Sequence, residues 1–293
     1  AQKYQLPIIN ADSLLFYQEL HIGVAKPSPA DLNKVPHYLI DIASIAKPLN
    51  AKMYRDMAIE TLDTLWENYP AVILCGGSGF YIRALLYGMY ESQTPDLGTI
   101  TRSNLLYQEQ GIQPFIDILQ DVDPTSLQKL HVNDHYRLRR AVEHWWSTHT
   151  PFPQVSKAQE ERNKSHPFWK NQGWKILYLY TDVPKDIHHT LIEQRTKKML
   201  DQGLVEEVSH LLERFTGLEK PLQSIGYKEA QEFIKGNIVS MEKLYESIII
   251  STRQLAKSQR TWFATVDKVE LHHPHFFQEA DQLIQEFLYH SKT

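Results

Sequence analysis

The chain has 293 residues, 42% hydrophobic and 23% charged, with a formal net charge of −4. That balance suits an ordinary globular protein of one large domain or two smaller ones, and it excludes a low-complexity or fibrous chain. No apolar run approaches the roughly 18–20 residues that span a bilayer, no signal-peptide pattern opens the chain, and the single cysteine, Cys75, excludes an internal disulfide. The expectation is a cytoplasmic protein, monomeric and without a membrane partner.

The charge is unevenly spread, and for nucleic acid the local footprint matters more than the sum. From Ser247 to Val266 there is no acid, while Arg253, Lys257 and Arg260 are basic; Tyr136-Arg137-Leu138-Arg139-Arg140 is a second basic knot. Either alone reads equally well as a solvated helix face. Two such patches, flanked by aromatic and hydroxyl residues, favour a polyanionic partner.

In chain order, Pro7–Asp12 is the first apolar strand, and it ends on a carboxylate and the hydroxyl of Ser13. Residues just past the C-terminal end of a parallel strand face the ligand crevice. His37–Asp41 is a second strand, and 51–68 a helix with Met53, Met57, Leu62, Leu65 and Trp66 on its apolar face. Ala71–Gly77 is a third strand, running through Gly76-Gly77-Ser78-Gly79 into a helix start. Glycines there let backbone approach a ligand, and a helix N-terminus offers free N–H groups. Ser78 as a simple N-cap is the plainer reading.

From about 98 to 172 the pattern changes. Phe115, Ile118, Leu119, Leu127, Leu130, Leu138, Val142 and Trp145 recur at helical spacing without a convincing strand. A polar stretch over 151–171 follows, with Lys157, Glu160, Glu161, Arg162 and Lys164. We read 98–172 as a helical insertion in an α/β core formed by 1–97 and 173–293; crossover helices of that core are the alternative. Trp174–Asp182 and Val269–His273 are the remaining strands. Ile192, Met199, Leu200, Leu204, Val208, Leu211 and Leu212 keep a near-3.6 period, and Ile248, Leu255 and Trp262 recur every seven residues over 241–264. Strands alternating with helices predict a parallel sheet. Strands 7–12, 71–77 and 174–182 should be neighbours or near-neighbours, with Asp12 and Ser78 at one sheet edge. The adjacent pairs His188-His189 and His272-His273 cannot easily aim two imidazoles at one ion, so no metal ligands are assigned.

Several blocks, in order, closely resemble the tRNA dimethylallyltransferases, the tRNA isopentenyltransferase family. The first is Ile8-Ile9-Asn10-Ala11-Asp12-Ser13-Leu14-Leu15-Phe16-Tyr17 with Gly23, Ala25, Lys26 and Pro27; Val24 stands where the family usually has Thr. The second is Gly76-Gly77-Ser78-Gly79-Phe80-Tyr81, against a family G-G-T-x-x-Y. Asn133–Glu143 is similar to N-D-x-x-R-[LIV]-x-R-A-L-E. Ile192–Leu204 is similar to a helix in which Arg195 matches the second of two arginines and Leu191 replaces the first. Gln223-Ser224-Ile225-Gly226-Tyr227-Lys228-Glu229 matches Q-x-I-G-Y-K-E. Thr252–Trp262 matches T-R-Q-x-A-K-R-Q-x-T-W, with Ser258 for an Arg, Ala264 replacing another, and Arg260 as a shifted charge.

The resemblance implies a P-loop-kinase-like α/β fold with an inserted helical domain. It also implies transfer of a dimethylallyl group from dimethylallyl diphosphate to N6 of the adenosine 3′-adjacent to the anticodon, in a tRNA anticodon stem-loop. Asp12 would be the general base, Ser78 would stand beside the target base, and Arg195 would neutralise the leaving diphosphate. Asp12, Ser13, Leu14, Leu15, Ser78, Arg102, Tyr136, Arg137, Leu138, Arg139, Arg140, Gln223, Gly226, Tyr227, Lys228, Arg253, Lys257 and Arg260 would contact tRNA. An ion-pair network with Asp134 and Glu143 is the alternative for Arg137 and Arg140, and a surface position the alternative for Arg195. Family members open with a strand and a G-x-T-x-x-G-K-[ST] loop whose amides and Lys hold the diphosphate and whose hydroxyl holds Mg²⁺. No such stretch occurs in these 293 residues. The expectation is that they lack the segment carrying that loop and are inert without it; a non-catalytic tRNA-binding paralogue is the alternative.

Overall fold

Short strands build the centre: β1 (Ile8–Asn10), β2 (His37–Tyr38) and β3 (Ile73–Cys75) form a parallel sheet in the order β2-β1-β3. They belong to a computed structural model that describes residues 1–88, 95–152 and 167–290. Helix α1 (Pro29–Lys34) lies between β1 and β2, and α2 (Ala51–Trp66) crosses from β2 to β3. Asn50 starts α2, its Oδ1 accepting the Met53 N–H at 2.9 Å. The buried face of α2 is Ala51, Tyr54, Ala58, Leu62 and Leu65, while Met53 is exposed. Sequence periodicity had favoured Met53. Tyr54 turns inward because its hydroxyl finds a partner, the Asn10 carbonyl at the end of β1, at 3.1 Å. Its ring stacks on Phe16 and meets Tyr81 edge-on, with centroids 5.2 and 5.3 Å apart. Such pairs contribute about 0.5–1.5 kcal/mol beyond area burial, and this cluster lies directly beneath the end of β1.

Helix α3 (Gly79–Tyr87) leaves β3 through the glycine turn and buries Ile82, Ala84, Leu85 and Leu86. The chain divides into two units, Ala1–Gly88 with Phe168–Thr293, and Met89–Pro167. The second unit contains α4 (Leu97–Gln110), α5 (Gln113–Val122), α6 (Pro124–Lys129) and α7 (His135–Thr148), and no strand among its described residues. Its core is Phe115, Leu119, Leu138, Ala141 and Val142. Its limits differ from the expected 98 and 172. Residues 168–171 form α8 (Phe168–Asn171), which belongs to the first unit. There Phe168 lies under the Arg55 guanidinium at 4.4 Å and edge-on to Trp174 at 5.7 Å. Lys157, Glu160, Glu161, Arg162 and Lys164 of the expected polar connection lie outside the described residues.

The chain returns as β4 (Leu179–Asp182), which pairs in parallel with β5 (Val269–His272) and not with the first sheet. Of the strands expected as neighbours or near-neighbours in one parallel core, 7–12 and 71–77 pair, while 174–182 contributes to a second sheet. A cavity of about 760 Å³ is lined by Val72 and Leu74 on the first sheet's side and Leu177 and Leu179 on the second's.

Between β4 and β5 run α9 (Lys185–Asp201), α10 (Leu204–Leu212), α11 (Tyr227–Ile234) and α12 (Met241–Phe263), and α13 (Phe276–His290) closes the chain. The apolar period read across 192–212 is broken at Gly203, whose φ of +95° suits glycine and separates α9 from α10. The heptad seam of α12 is shifted by one residue. Leu255 is 46% exposed, and the buried line is Ile249, Ala256 and Phe263 with Leu244 and Ile248. Leu255 sits roughly 100° around the helix from Ala256, and it is Ala256 that packs with Ile192 of α9 and Ile249. No helix among the described residues is long and apolar enough to cross a membrane.

Candidate active site

The first sheet brings two loops together. Asn10 and Cys75 are the last paired residues of β1 and β3, so the chain after each strand leaves from the same sheet edge. Asp12 and Ser78 both lie there, as the strand pattern predicted. The residues after β1 make turns, not a helix, so Asp12 is no helix cap. Its Oδ1 accepts the Leu14 N–H at 3.0 Å. Its own N–H donates to Asn10 Oδ1 at 2.8 Å, and Asn10 Nδ2 donates to the Asp12 and Leu39 carbonyls at 2.9 and 3.0 Å. The buried Asn10 side chain thereby fixes the backbone on which the carboxylate stands. Asp12 is half-buried, and among the described residues Oδ2 accepts no hydrogen bond.

Ser78 occupies the N-cap position of α3, yet its side chain makes no cap bond. Its Oγ accepts the Ser13 N–H at 3.0 Å and lies 3.2 Å from Ser13 Oγ. The plain N-cap reading of the hydroxyl is corrected: Ser78 spends its side chain across the sheet edge, on the loop that carries Asp12. Leu14 and Leu15 are partly buried against the core beside this loop.

Helix α12 packs on the glycine turn. Gln259 Nε2 donates to the Gly77 carbonyl at 3.0 Å, and a Cβ on Gly79 would fall 2.5 Å from the Trp262 ring. The cations of α12 divide. Lys257 is exposed. Arg253 pairs with Glu193 of α9 at 2.7 Å. Arg260 Nη1 lies 3.3 Å from His188 Nδ1. Burial, then the Arg260 charge and His189, hold the His188 imidazole below its usual range. Arg195 is exposed on α9.

The Q-x-I-G-Y-K-E block splits between surface and core. Lys228 is exposed, and Gln223, also exposed, donates Nε2 to the Gly217 carbonyl. Gly226 and Tyr227 are buried, so neither offers the expected RNA contact. Gly226 N–H is capped by Glu229 at 2.8 Å. The Tyr227 hydroxyl donates to the Glu207 carboxylate, which also accepts the Ile22 and His21 N–H groups at 2.8 and 3.2 Å. A Cβ on Gly23 would lie 2.3 Å from the Tyr227 ring. Two blocks of the resemblance therefore meet as a packing joint, through Glu207, which the sequence reading did not single out. Burial, then Glu207, pushes the Tyr227 phenol up.

In the second unit, Leu138 is fully buried in the helical core and does not offer the expected RNA contact. Arg139 stacks on Tyr107 at 4.6 Å and bonds Ser103 and Asn104. Arg140 pairs with the buried Glu143 at 2.9 Å, and Arg137 with Asp134 at 3.4 Å. For these two arginines the ion-pair alternative describes the structure. Arg137 and Tyr136 remain exposed; Arg102 stacks on Trp146 at 3.9 Å. Gln259 and Asn10 were legible only as members of quoted motifs, and nothing in the sequence alone marked Glu207.

The comparisons agree with this architecture. The chain is 36% identical over 271 residues to the tRNA dimethylallyltransferase of Crocosphaera subtropica, covering 92% of this chain and 84% of that one. It is 34% identical over 292 residues to that of Synechococcus elongatus, covering 98% and 89%. The crystal structure of a tRNA delta(2)-isopentenylpyrophosphate transferase from Staphylococcus epidermidis matches with a TM-score of 0.68 at 26% identity, covering 98% of this chain and 92% of that one. The alternative of a tRNA-binding paralogue without the activity gains no support from relatives that carry the enzyme's name. The model of the family described as IPP transferase matches residues 15–266, and the chain belongs to that family.

Proposed function

We infer that this protein is a tRNA dimethylallyltransferase, transferring the dimethylallyl group of dimethylallyl diphosphate to N6 of the adenosine 3′-adjacent to a tRNA anticodon. The observation that carries the site assignment is the Ser78–Ser13 tie beside Asp12, which still has a carboxylate oxygen without a partner among the described residues. The exocyclic amine of adenine is a poor nucleophile because its lone pair is delocalised into the ring. A carboxylate within hydrogen-bond reach orients the amine and takes its proton as the C–N bond forms. The C–O bond to diphosphate breaks in the same step, and the leaving group carries away the electron pair. Arg195, exposed on α9, is the cation we assign to that growing charge. The target base must leave its stack to reach Asp12, as bases in modifying enzymes do.

The RNA surface of the first unit comprises Ser13, Leu14, Leu15, Lys228, Arg253, Lys257 and Arg260; Arg102, Tyr136 and Arg137 are the contacts assigned to the second. Both substrates, the tRNA stem-loop and the diphosphate donor, come with this reading, as does a monomeric protein. Mg²⁺ is a different matter. The resemblance assigns the ion to the hydroxyl of the phosphate-binding loop, and among the described residues no three His, Cys, Asp or Glu side chains cluster. No step is routed through the ion.

The test is transfer of labelled dimethylallyl to an anticodon stem-loop whose target adenosine is flanked by adenosines. Two proteins are compared: the 293-residue chain, and the same chain with a relative's G-x-x-x-x-G-K-[ST] segment fused upstream. Label in the RNA with the fused protein, lost in Asp12→Asn while RNA affinity stays, supports the reading. No transfer by either protein, or full activity of Asp12→Asn, sinks it.

A further inference from the structure

We propose that Gln259 is a positioning residue that couples the RNA-facing helix α12 to the Ser78–Asp12 loop pair, an inference that rests on the function proposed above. The argument begins with one peptide plane. The carbonyl of Gly77 accepts the Gln259 amide at 3.0 Å. The N–H at the other end of the same plane, that of Ser78, donates to the Ala11 carbonyl at 3.2 Å. The Gly77–Ser78 peptide is thus held at both ends, by α12 and the local Gly79 N–H (3.2 Å) at its carbonyl and by the backbone before Asp12 at its N–H. Of these bonds only that from Gln259 comes from α12, and the orientation of the peptide sets the direction in which Ser78 leaves the backbone. Ser78 Oγ in turn holds Ser13.

Sterics confirm how closely the layers meet. A Cβ on Gly76 would lie 2.2 Å from the Ala11 carbonyl carbon, and one on Gly77 would lie 2.5 Å from Gln259 Nε2 with only that side chain within 4 Å. Position along the helix supplies the coupling. Residues 257 and 259 are about 200° apart on an α-helix, so α12 shows Lys257 to solvent while Gln259 reaches the turn. A helix that grips RNA by one side holds the base-facing loop by the other.

The arrangement provides its own control. A methyl at Gly77 displaces the flexible amide of Gln259 and meets nothing else, so Gly77→Ala and Gln259→Ala should break the same hydrogen bond. Their effects should then be non-additive, the mark of two changes on one interaction. Gln259→Met keeps the volume and removes the side-chain amide.

The experiment uses the full chain and an anticodon stem-loop RNA with 2-aminopurine at the target position. Anisotropy reports affinity, and 2-aminopurine fluorescence reports extrusion of the base. Wild type should bind with a fluorescence rise. Gln259→Ala, Gln259→Met and Gly77→Ala should each keep affinity within about threefold, roughly 0.7 kcal/mol, yet lose most of the rise. The double variant should lose no more than either single. A wild-type rise in Gln259→Met, or losses that add in the double variant, overturns the coupling. Failure of the wild-type chain to bind the stem-loop overturns the functional reading itself.

Discussion

The hydroxyl of Ser78 accepts the backbone N–H of Ser13 at 3.0 Å, from a helix N-cap position where it makes no cap bond. The loop after β1 is thereby tied to the loop after β3. Removing that hydroxyl leaves a half-buried N–H without its partner and frees the loop that carries Asp12. Ser78→Ala should cost about 1 kcal/mol of stability and slow dimethylallyl transfer more than it weakens RNA binding. Ser78→Thr retains the oxygen and should keep both properties. Thermal melts and single-turnover transfer on the fused protein check this; an Ala variant with wild-type turnover would remove Ser78 from the site.

The three cations of α12 are not equivalent, although their i, i+4, i+7 spacing suggests a uniform stripe. Lys257 is exposed, whereas Arg253 is paired with Glu193 at 2.7 Å. An exposed ion pair is worth little to stability, about 0–1 kcal/mol, but it competes with a phosphate for the same guanidinium. Lys257→Ala should lower the slope of log K against log salt by about 0.7–0.9 per lost phosphate contact. Arg253→Ala should lower it less, and Glu193→Gln should steepen it by releasing Arg253. Equal slopes for all three and wild type, measured by RNA binding from low to moderate salt, would make this face an ordinary solvated surface.

How much was legible depended on range. Strand ends and the glycine turn are local signals, and β1, β3 and their shared edge followed from them. The fine register of helices was not. Met53 and Leu255 are apolar and periodic, yet exposed, because Tyr54 and Ala256 next to them had better partners in space. Nor could spacing tell which members of a motif face out. Leu138, Gly226 and Tyr227 sit in blocks that resemble tRNA-contacting ones, and all three are buried. The partner of β4 and the role of Glu207 are contacts between residues far apart in the chain, for which one sequence carries no local sign.

The joint between Gly23, Tyr227 and Glu207 is a packing element, and it should behave as one. A Cβ at position 23 would lie 2.3 Å from the Tyr227 ring, which is fully buried. Gly23→Ala must displace that ring, and overpacking of this kind costs about 1–3 kcal/mol. Tyr227→Phe keeps the ring and removes only the hydroxyl donated to Glu207; it should cost about 1–3 kcal/mol, since a charged acceptor loses a buried donor. Denaturant melts give both numbers. RNA affinity of the folded Tyr227→Phe protein should equal wild type, and a loss of affinity at full stability would return Tyr227 to the RNA interface.

The His188–Arg260 contact predicts a pH dependence with a definite sign. Arg260 Nη1 lies 3.3 Å from His188 Nδ1, and a guanidinium can only donate, so the geometry needs a neutral imidazole. Burial and then the charge of Arg260, with His189 adding a smaller push, hold His188 below the ordinary imidazole value of 6.5. As pH falls through that value, the unfolded chain takes up a proton that the folded chain still refuses. The contribution to stability is therefore present above about pH 6.5 and is lost as pH falls toward and through the folded value. The imidazole is only partly buried, so solvent screening keeps the effect modest. Replacing it with a neutral amide that still accepts a hydrogen bond removes the titration and spares the contact. His188→Gln should accordingly match wild type in melting temperature near pH 7.5 and lose less of it by pH 5. Arg260→Gln should likewise flatten the wild-type fall, because it removes the charge that opposes protonation. Parallel melting curves for wild type and His188→Gln across this range would show that His188 takes up its proton as readily in the folded protein as in the unfolded chain.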